Sequence, residues 1–240
     1  HRDLHSFPTR RSSDLEKNTL RMDVLSKYYI DITSTLELEQ AIRGKLLARE
    51  KILVLGGGSN ILFTKDYQGT ILKINIRGIQ IVHEDDHFVR VKIGAGEDWP
   101  SFVEYAVSNG WGGVENLAMV PGTAGAAPVQ NIACYGHNLH ESLYSVDVIM
   151  FSTGEKKTFS VEQCNFGYRT SIFKENLLGK CAIVDVTLKL SKKPMLNTSY
   201  KSRYESVEGE LAKIKGPPYH IEDVYQAIVN IRKRKLPQCL

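Results

Sequence analysis

The sequence predicts an α+β fold, and three observations predict it. Short runs of alternating apolar and polar residues recur along the chain, as in Val89-Arg-Val-Lys-Ile93 and Val184-Asp-Val-Thr-Leu188. Between them stand stretches whose apolar residues recur at helical spacing. The two kinds of element are interspersed without the strand–helix–strand rhythm of a doubly wound sheet, so antiparallel-type strands are the expectation. At 240 residues, 42% hydrophobic and 24% charged, the chain can bury the core of one large or two small globular domains.

Residues 1–17 open the chain with a polar, basic, aperiodic string that resembles translated adaptor sequence more than part of a fold. We expect a foreign or disordered extension there. Tyr28 to Ile32 is a short β-prone run. Ser34-Thr-Leu-Glu37 has capping-box spacing, and Leu38, Ala41, Ile42 and Leu46 follow at helical positions. Ile52 to Leu55 is a buried-type strand. Leu72, Ile74 and Ile76 predict one alternating strand and Val89, Val91 and Ile93 another, with Glu84-Asp-Asp86 as a solvated hairpin tip. Asp98 can cap a helix with Pro100 in its first turn, Trp99, Phe102, Val103 and Ala106 on its apolar face and Gly110 at its end. Val146, Val148 and Met150, then Phe159, then Val184 to Leu190 predict further strands. Pro194 and Asn197-Thr-Ser199 mark a boundary. Beyond it, 205–215 reads as a solvated helical run, Gly216-Pro-Pro218 breaks it, and 222–234 carries Val224, Ala227, Ile228 and Ile231 on one face.

Two glycine-rich stretches fit neither period. Residues 116–136, which include Pro121-Gly-Thr-Ala-Gly-Ala-Ala-Pro-Val-Gln-Asn131, are almost uncharged and dense in Gly, Ala and Pro. They are either a buried tight connection or the wall of a cofactor site, because small side chains let backbone approach a ligand and aim N–H groups at it. Lys51-Ile-Leu-Val-Leu-Gly-Gly-Gly-Ser-Asn60 runs a strand into three glycines, which suits a phosphate nest as well as a plain turn. It is not a Walker A loop, and Ile61 stands where a dinucleotide fingerprint needs its third glycine. Two such loops together suggest a long ligand with a pyrophosphate middle.

Other candidates stay open on the residues alone. Arg169, following a glycine amid apolar neighbours, is either paired to a buried acid or aimed at an anionic ligand. Lys235 ends a helix, where a solvated lysine is at home. Tyr200 reads as a surface tyrosine. His137 and His140 lack a third metal ligand, and we expect no metal. Cys134, Cys164, Cys181 and Cys239 form no Cys-x-x-Cys pair and read as free thiols. The net charge of +4 is mild, no basic stripe interleaves with aromatics, and no apolar run reaches the ~18 residues of a membrane span. Nucleic acid and membrane are therefore excluded as partners, no secretory signal is visible, and a cytoplasmic monomer is the expectation.

Gly56-Gly-Gly-Ser-Asn-Ile-Leu62, the Pro121 to Asn131 string, Tyr135-Gly136 and Gly167-Tyr-Arg-Thr-Ser-Ile-Phe173, with Asn18-Thr19 and Lys235-Leu-Pro237, resemble the UDP-N-acetylenolpyruvoylglucosamine reductase family of bacterial peptidoglycan synthesis. The resemblance runs from about Asn18 to Pro237. It implies an FAD-binding domain of the vanillyl-alcohol-oxidase/p-cresol-methylhydroxylase type over 18–193, in two α+β halves of about 18–76 and 77–193, and the start of a substrate-binding domain over 194–240. It implies that Gly56, Gly57, Gly58, Ser59, Asn60, Pro121, Gly122, Thr123, Gly125 and Ala126 bind FAD. Arg169 would be catalytic, and Tyr168, Tyr200 and Lys235 would bind the substrate, UDP-N-acetylglucosamine enolpyruvate. NADPH would be the reductant and UDP-N-acetylmuramate the product. Lys201 stands beside Tyr200 where the family pattern usually has glycine. After Pro237 the chain reads Gln238-Cys239-Leu240, without the Gly-Ser-Phe-Phe-Lys-Asn-Pro-like motif that carries the family's serine proton donor and without the later glutamate. The resemblance thus implies a C-terminally truncated form with impaired turnover. The alternatives are an oxidase of the same flavin superfamily and a non-catalytic FAD-binding fragment.

Overall fold

A computed structural model of the chain describes residues 18–22, 24–45, 47, 51–201 and 206–235. The expectations for 1–17, Leu46, Glu205, Cys239 and the end of the chain lie outside the described residues. Two main sheets carry the fold. Strands β1 (Ser26–Ile32), β2 (Ile52–Leu55) and β3 (Tyr67–Ile74) form one, in the order β1-β3-β2. Strands β4 (Ile79–Glu84), β5 (Phe88–Gly94), β8 (Leu143–Met150), β9 (Lys156–Ser160) and β10 (Cys181–Ser191) form the other, in the order β4-β5-β10-β8-β9. A two-residue pair, β6 (Ala133–Cys134) and β7 (His137–Asn138), lies between β5 and β8 in sequence.

The first sheet corrects the antiparallel expectation, because both of its pairings are parallel, with Ile30 opposite Leu72 and Val54 opposite Leu72. The helix α1 (Thr35–Arg43) supplies the crossover that parallel strands require, and β3 then inserts between β1 and β2. Ser34 caps α1 by accepting from the Glu37 N–H at 3.2 Å, and Glu37 reaches back one residue further, accepting from Thr33 N–H at 2.7 Å. The polar residues that make β3 look half-solvated mislead. Gly69 to Leu72 and Ile74 are buried, and the Lys73 ammonium donates to the Gly56 carbonyl rather than facing open water.

The second sheet is antiparallel throughout, as the alternation requires. Val89, Val91, Ile93, Val146, Val148, Val186, Leu188 and Leu190 bury one face. On the other face Lys92 bridges Asp147 at 2.9 Å and Asp185 at 3.1 Å, and Lys156 joins Asp147 at 3.2 Å. The hairpin tip at residues 85–87 forms as expected, with Asp85 accepting from the His87 and Phe88 N–H groups. Its first arm differs: β5 pairs with β4, a strand absent from the sequence reading, and not with β3. All six β4 residues are exposed, so neither face carries the buried alternation that betrays a strand.

Helix α2 (Trp99–Ser108) begins at Asp98, which accepts from the Ser101 N–H at 3.0 Å. Its apolar face is buried as read, and Gly110 follows it at φ +74°. After β10, α3 (Val207–Ile214) packs on α4 (Ile221–Lys235). The solvated reading of α3 is corrected here. Val207 and Leu211 are buried, and Glu210, only 5% exposed, accepts two bonds from the Arg234 guanidinium at 2.9 and 2.8 Å.

Candidate functional site

Strand β2 ends at Leu55 and releases the chain into residues 56–60, which meet residues 121–126 backbone to backbone. A Cβ on Gly57 would stand 2.8 Å from the Gly122 Cα, one on Gly56 would stand 2.8 Å from Ala126 Cβ and Thr123 Oγ1, and one on Gly125 would stand 2.5 Å from Ala95 Cβ. The glycines are thus required first by the approach of the loops to each other. Ser59 Oγ donates to the Pro121 carbonyl at 3.1 Å, and Asn60 Nδ2 donates to Gln130 Oε1 at 2.7 Å, which locks the pair. Gly58 and Gly122 hold φ of +67° and +127°.

These loops line a cleft of about 330 Å³ between the two sheets. All ten residues expected to bind FAD lie on its wall, together with Val54, Ile61, Trp99, Phe173, Cys181 and Ile183. Among the described residues the N–H groups of Gly57, Gly58, Ser59, Asn60, Gly122 and Thr123 donate to no protein acceptor. A small-residue cradle with free amides and apolar walls fits a flat aromatic ring system joined to a pyrophosphate. Burial pushes the Cys181 thiol up to about 11, so on this wall it behaves as an apolar group.

A second cavity, of about 490 Å³, opens beside the hairpin of β6 and β7. Arg169, Tyr200 and Lys235, three residues singled out from sequence, meet there with Cys134, Tyr135, His137 and Arg232. Arg169 occupies a tight turn, bridged between Gly167 and Thr170, at φ +56°. Its Nη2 donates to the Ala133 carbonyl at 3.3 Å, and no carboxylate pairs with it among the described residues. That resolves its two readings in favour of a side chain not tied to a buried acid. The turn is held from below by Ser171, which donates to the Val129 carbonyl at 2.7 Å, and by buried Asn131, whose Nδ2 donates to the Gly167 carbonyl at 3.3 Å. Tyr200 stacks edge-on against Tyr135 at 5.3 Å between ring centres. Asn116 positions that pair by donating to the carbonyls of Tyr135 and Asn197 at 2.8 and 2.9 Å.

Tyr168 stands apart, 93% exposed and on the wall of neither cavity. Arg232 is the residue that sequence reading missed. It lies four residues after Ile228 and so beside the buried face of α4, in a helix end whose other residues are also cations. Gln130, inside the quoted string, also gains a task, as the partner of Asn60. Burial pushes the Cys134 thiol up, against the pull of Arg232 and Arg169, and pushes the His137 imidazole down, against Glu141 and Glu115. Among the described residues no group of three His, Cys, Asp or Glu side chains could hold a metal, no helix is long and apolar enough to cross a membrane, and Cys134, Cys164 and Cys181 are free thiols.

Residues 26–160 match the model of a family described as an FAD binding domain. The chain is 39% identical over 220 residues to a UDP-N-acetylenolpyruvoylglucosamine reductase of Amoebophilus asiaticus, covering 92% of this chain and 64% of that protein. It is 36% identical over 229 residues to one of Bdellovibrio bacteriovorus, covering 95% of this chain and 67% of that protein. The chain therefore spans about two thirds of the length of such relatives. Among solved structures it resembles UDP-N-acetylenolpyruvylglucosamine reductase (MurB) from Thermus caldophilus, with a TM-score of 0.65 at 21% identity over 96% of this chain and 71% of that one. It also resembles a solvent-stable cholesterol oxidase, with a TM-score of 0.56 at 14% identity over 78% of this chain and 39% of that one. At these identities both likenesses speak to the fold.

Proposed function

This chain belongs to the UDP-N-acetylenolpyruvoylglucosamine reductase family and carries an FAD binding domain, and we propose that it holds FAD in the cleft between its sheets and a UDP-sugar in the cavity beside it. Its fold is the α+β FAD-binding fold of the vanillyl-alcohol-oxidase/p-cresol-methylhydroxylase type. The proposed reaction is reduction of UDP-N-acetylglucosamine enolpyruvate to UDP-N-acetylmuramate for peptidoglycan synthesis, in the cytoplasm and by a monomer. The observation that carries this reading is that consecutive residues line two cavities of opposite character, Ile132 the first and Ala133 the second. One has apolar walls and free amides, and the other gathers three cations.

Each residue then has a physical task. The free amides of Gly57 to Asn60 and of Gly122 and Thr123 receive the cofactor's phosphates, while Val54, Ile61, Phe173 and Ile183 exclude water from its rings. When bound, FAD supplies the hydride-transfer chemistry, with NADPH as the source of reducing equivalents. Arg169 holds the substrate carboxylate and stabilises negative charge that builds on it during reduction. Lys235 meets the diphosphate as a point charge, and Tyr200, fixed by Tyr135, packs on the substrate. Residues 18–193 form the cofactor-binding part, and α3 and α4 begin the substrate-binding part.

The test is the absorption spectrum of the purified chain before and after addition of FAD. Flavin bands that persist through gel filtration, and that shift on addition of UDP-N-acetylglucosamine enolpyruvate, are the expected result. A folded protein, by circular dichroism, that stays colourless overturns the cofactor assignment.

A further inference from the structure

Arg232 is placed where a cation is hard to explain by stability alone. Among the described residues its buried Nε has no acceptor, and its Nη1 donates to the Cys134 sulfur at 3.4 Å, a weak acceptor for a full positive charge. Among the described residues no carboxylate pairs with it. Glu210 is engaged with Arg234 and Lys213, Glu141 with His137, and buried Glu115 accepts from the Gly113 N–H. A half-buried guanidinium left in this state carries a desolvation penalty that no carboxylate among the described residues offsets. Arg169 and Lys235, also cations, line the same cavity wall. On α4 the order Ile228, Arg232, Lys235 follows helical spacing, so both cations point to the side that carries the apolar stripe and not to the solvated side of Lys233.

We propose that Arg232 is a direct contact for the anionic ligand of this cavity, a guanidinium that grips phosphate oxygens between Arg169 and Lys235. This rests on the UDP-sugar reading and extends it to a residue that the motif resemblance does not single out. The Cys134 thiol holds the guanidinium and releases it cheaply to a ligand, since charge-assisted bonds to phosphate are far stronger than a bond to a thiol. The ligand class is a diphosphate ester, because its phosphate oxygens can accept from the Arg169 and Arg232 guanidinium groups together, as the UDP-sugar reading requires.

The test is isothermal titration of the FAD-loaded chain, as wild type, Arg232→Gln and Arg232→Lys, with two probes: UDP-N-acetylglucosamine and inorganic pyrophosphate. FAD affinity and circular dichroism serve as folding controls, and Arg232→Lys, which keeps the charge and the stem, stands in if Arg232→Gln misfolds. Loss of a charge-assisted contact weakens binding roughly tenfold or more, with partial recovery in Arg232→Lys and less dependence of the remaining affinity on salt. The same ligand then slows alkylation of Cys134 by iodoacetamide in the wild type. Wild-type and Arg232→Gln chains that bind UDP-N-acetylglucosamine equally overturn this inference and leave the UDP-sugar reading intact. Arg232-dependent binding of pyrophosphate without binding of the nucleotide sugar supports the anion contact and overturns the UDP-sugar reading. Binding of neither probe overturns both.

Discussion

Arg169 shares with Met119, Asn131 and Tyr135 a positive φ, between +45° and +56°, that side-chain-bearing residues rarely adopt. Arg169 and Tyr135 lie on the cationic cavity and Asn131 is hydrogen-bonded beneath the Arg169 turn, so three of the seven such residues described border the proposed ligand contact. Glycine tolerates this conformation freely, which separates fold from function at this residue. Arg169→Gly is expected to leave stability unchanged or raise it by up to about 1 kcal/mol, while abolishing binding of UDP-N-acetylglucosamine enolpyruvate. Calorimetry and ligand titration on the same sample check both halves, and a large loss of stability would refute the strain account. The loop glycines behave oppositely. Gly57 and Gly125 have ordinary φ but no room, so Gly57→Ala and Gly125→Ala should each destabilise by about 1–3 kcal/mol through overpacking and lower FAD affinity, as read by thermal melts with and without cofactor.

The pair α3 and α4 shows how an element's role depends on one buried contact. The Arg234 guanidinium holds the Glu210 carboxyl down at about 2, with help from Lys213. A carboxylate whose value is depressed by folding adds stability that is complete above its ordinary range near pH 4.5 and is lost as pH falls toward 2. Burial of His137 acts in the same direction at milder acidity, because its folded value lies below 6.5 and protonation favours the unfolded chain. Stability should therefore decline in two stages on acidification, the lower one shared with other depressed carboxylates such as Asp85 and Asp147, and Glu210→Ala should shrink that lower stage while costing roughly 1–3 kcal/mol at pH 7. Urea melts between pH 7 and pH 3 measure both effects. Elements were legible where one face is buried and the period is clean, as in α2 and in Val89 to Ile93. They were not legible where burial departs from period: β4 is exposed on both faces, β3 is buried on both, and the acidic first turn of α3 hides a buried glutamate. At the site, the short strings were enough to place both loops and the arginine turn on cavity walls. Arg232 escaped because a cation at a helix end has a sufficient local explanation, and only the packing of α4 against the hairpin of β6 and β7 supplies a better one.

The cleft joins sheets built from separate parts of the chain, with Ile52 to Leu55 on one side and Cys181 and Ile183 on the other. An occupant that fills it contacts both sheets at once, so cofactor binding acts on the whole molecule rather than on one loop. At a cofactor concentration 100 times its dissociation constant, linkage adds about 2.7 kcal/mol, which for a chain of this size corresponds to a rise in Tm of roughly 5–11 °C. Differential scanning calorimetry with increasing FAD reads this directly, and a melting temperature indifferent to FAD would contradict the proposed occupant. The core supports a cooperative transition, since buried residues from both sheets and from α2, α3 and α4 form one contiguous cluster from Ile30 to Ile231, beside a smaller one of Val24, Tyr29, Leu55, Phe63 and Ile71.

The contact between Gly57 and Gly122 also has an evolutionary consequence. The two positions are far apart in sequence, yet the space for a side chain at 57 is the backbone at 122, and 122 itself holds a φ that excludes side chains. Neither site can drift alone. A library randomised at both positions should return glycine pairs almost exclusively, and any survivor lacking glycine at 57 should carry a compensating change in the facing loop. The geometry of one van der Waals contact thus makes two distant stretches of the gene a single heritable unit.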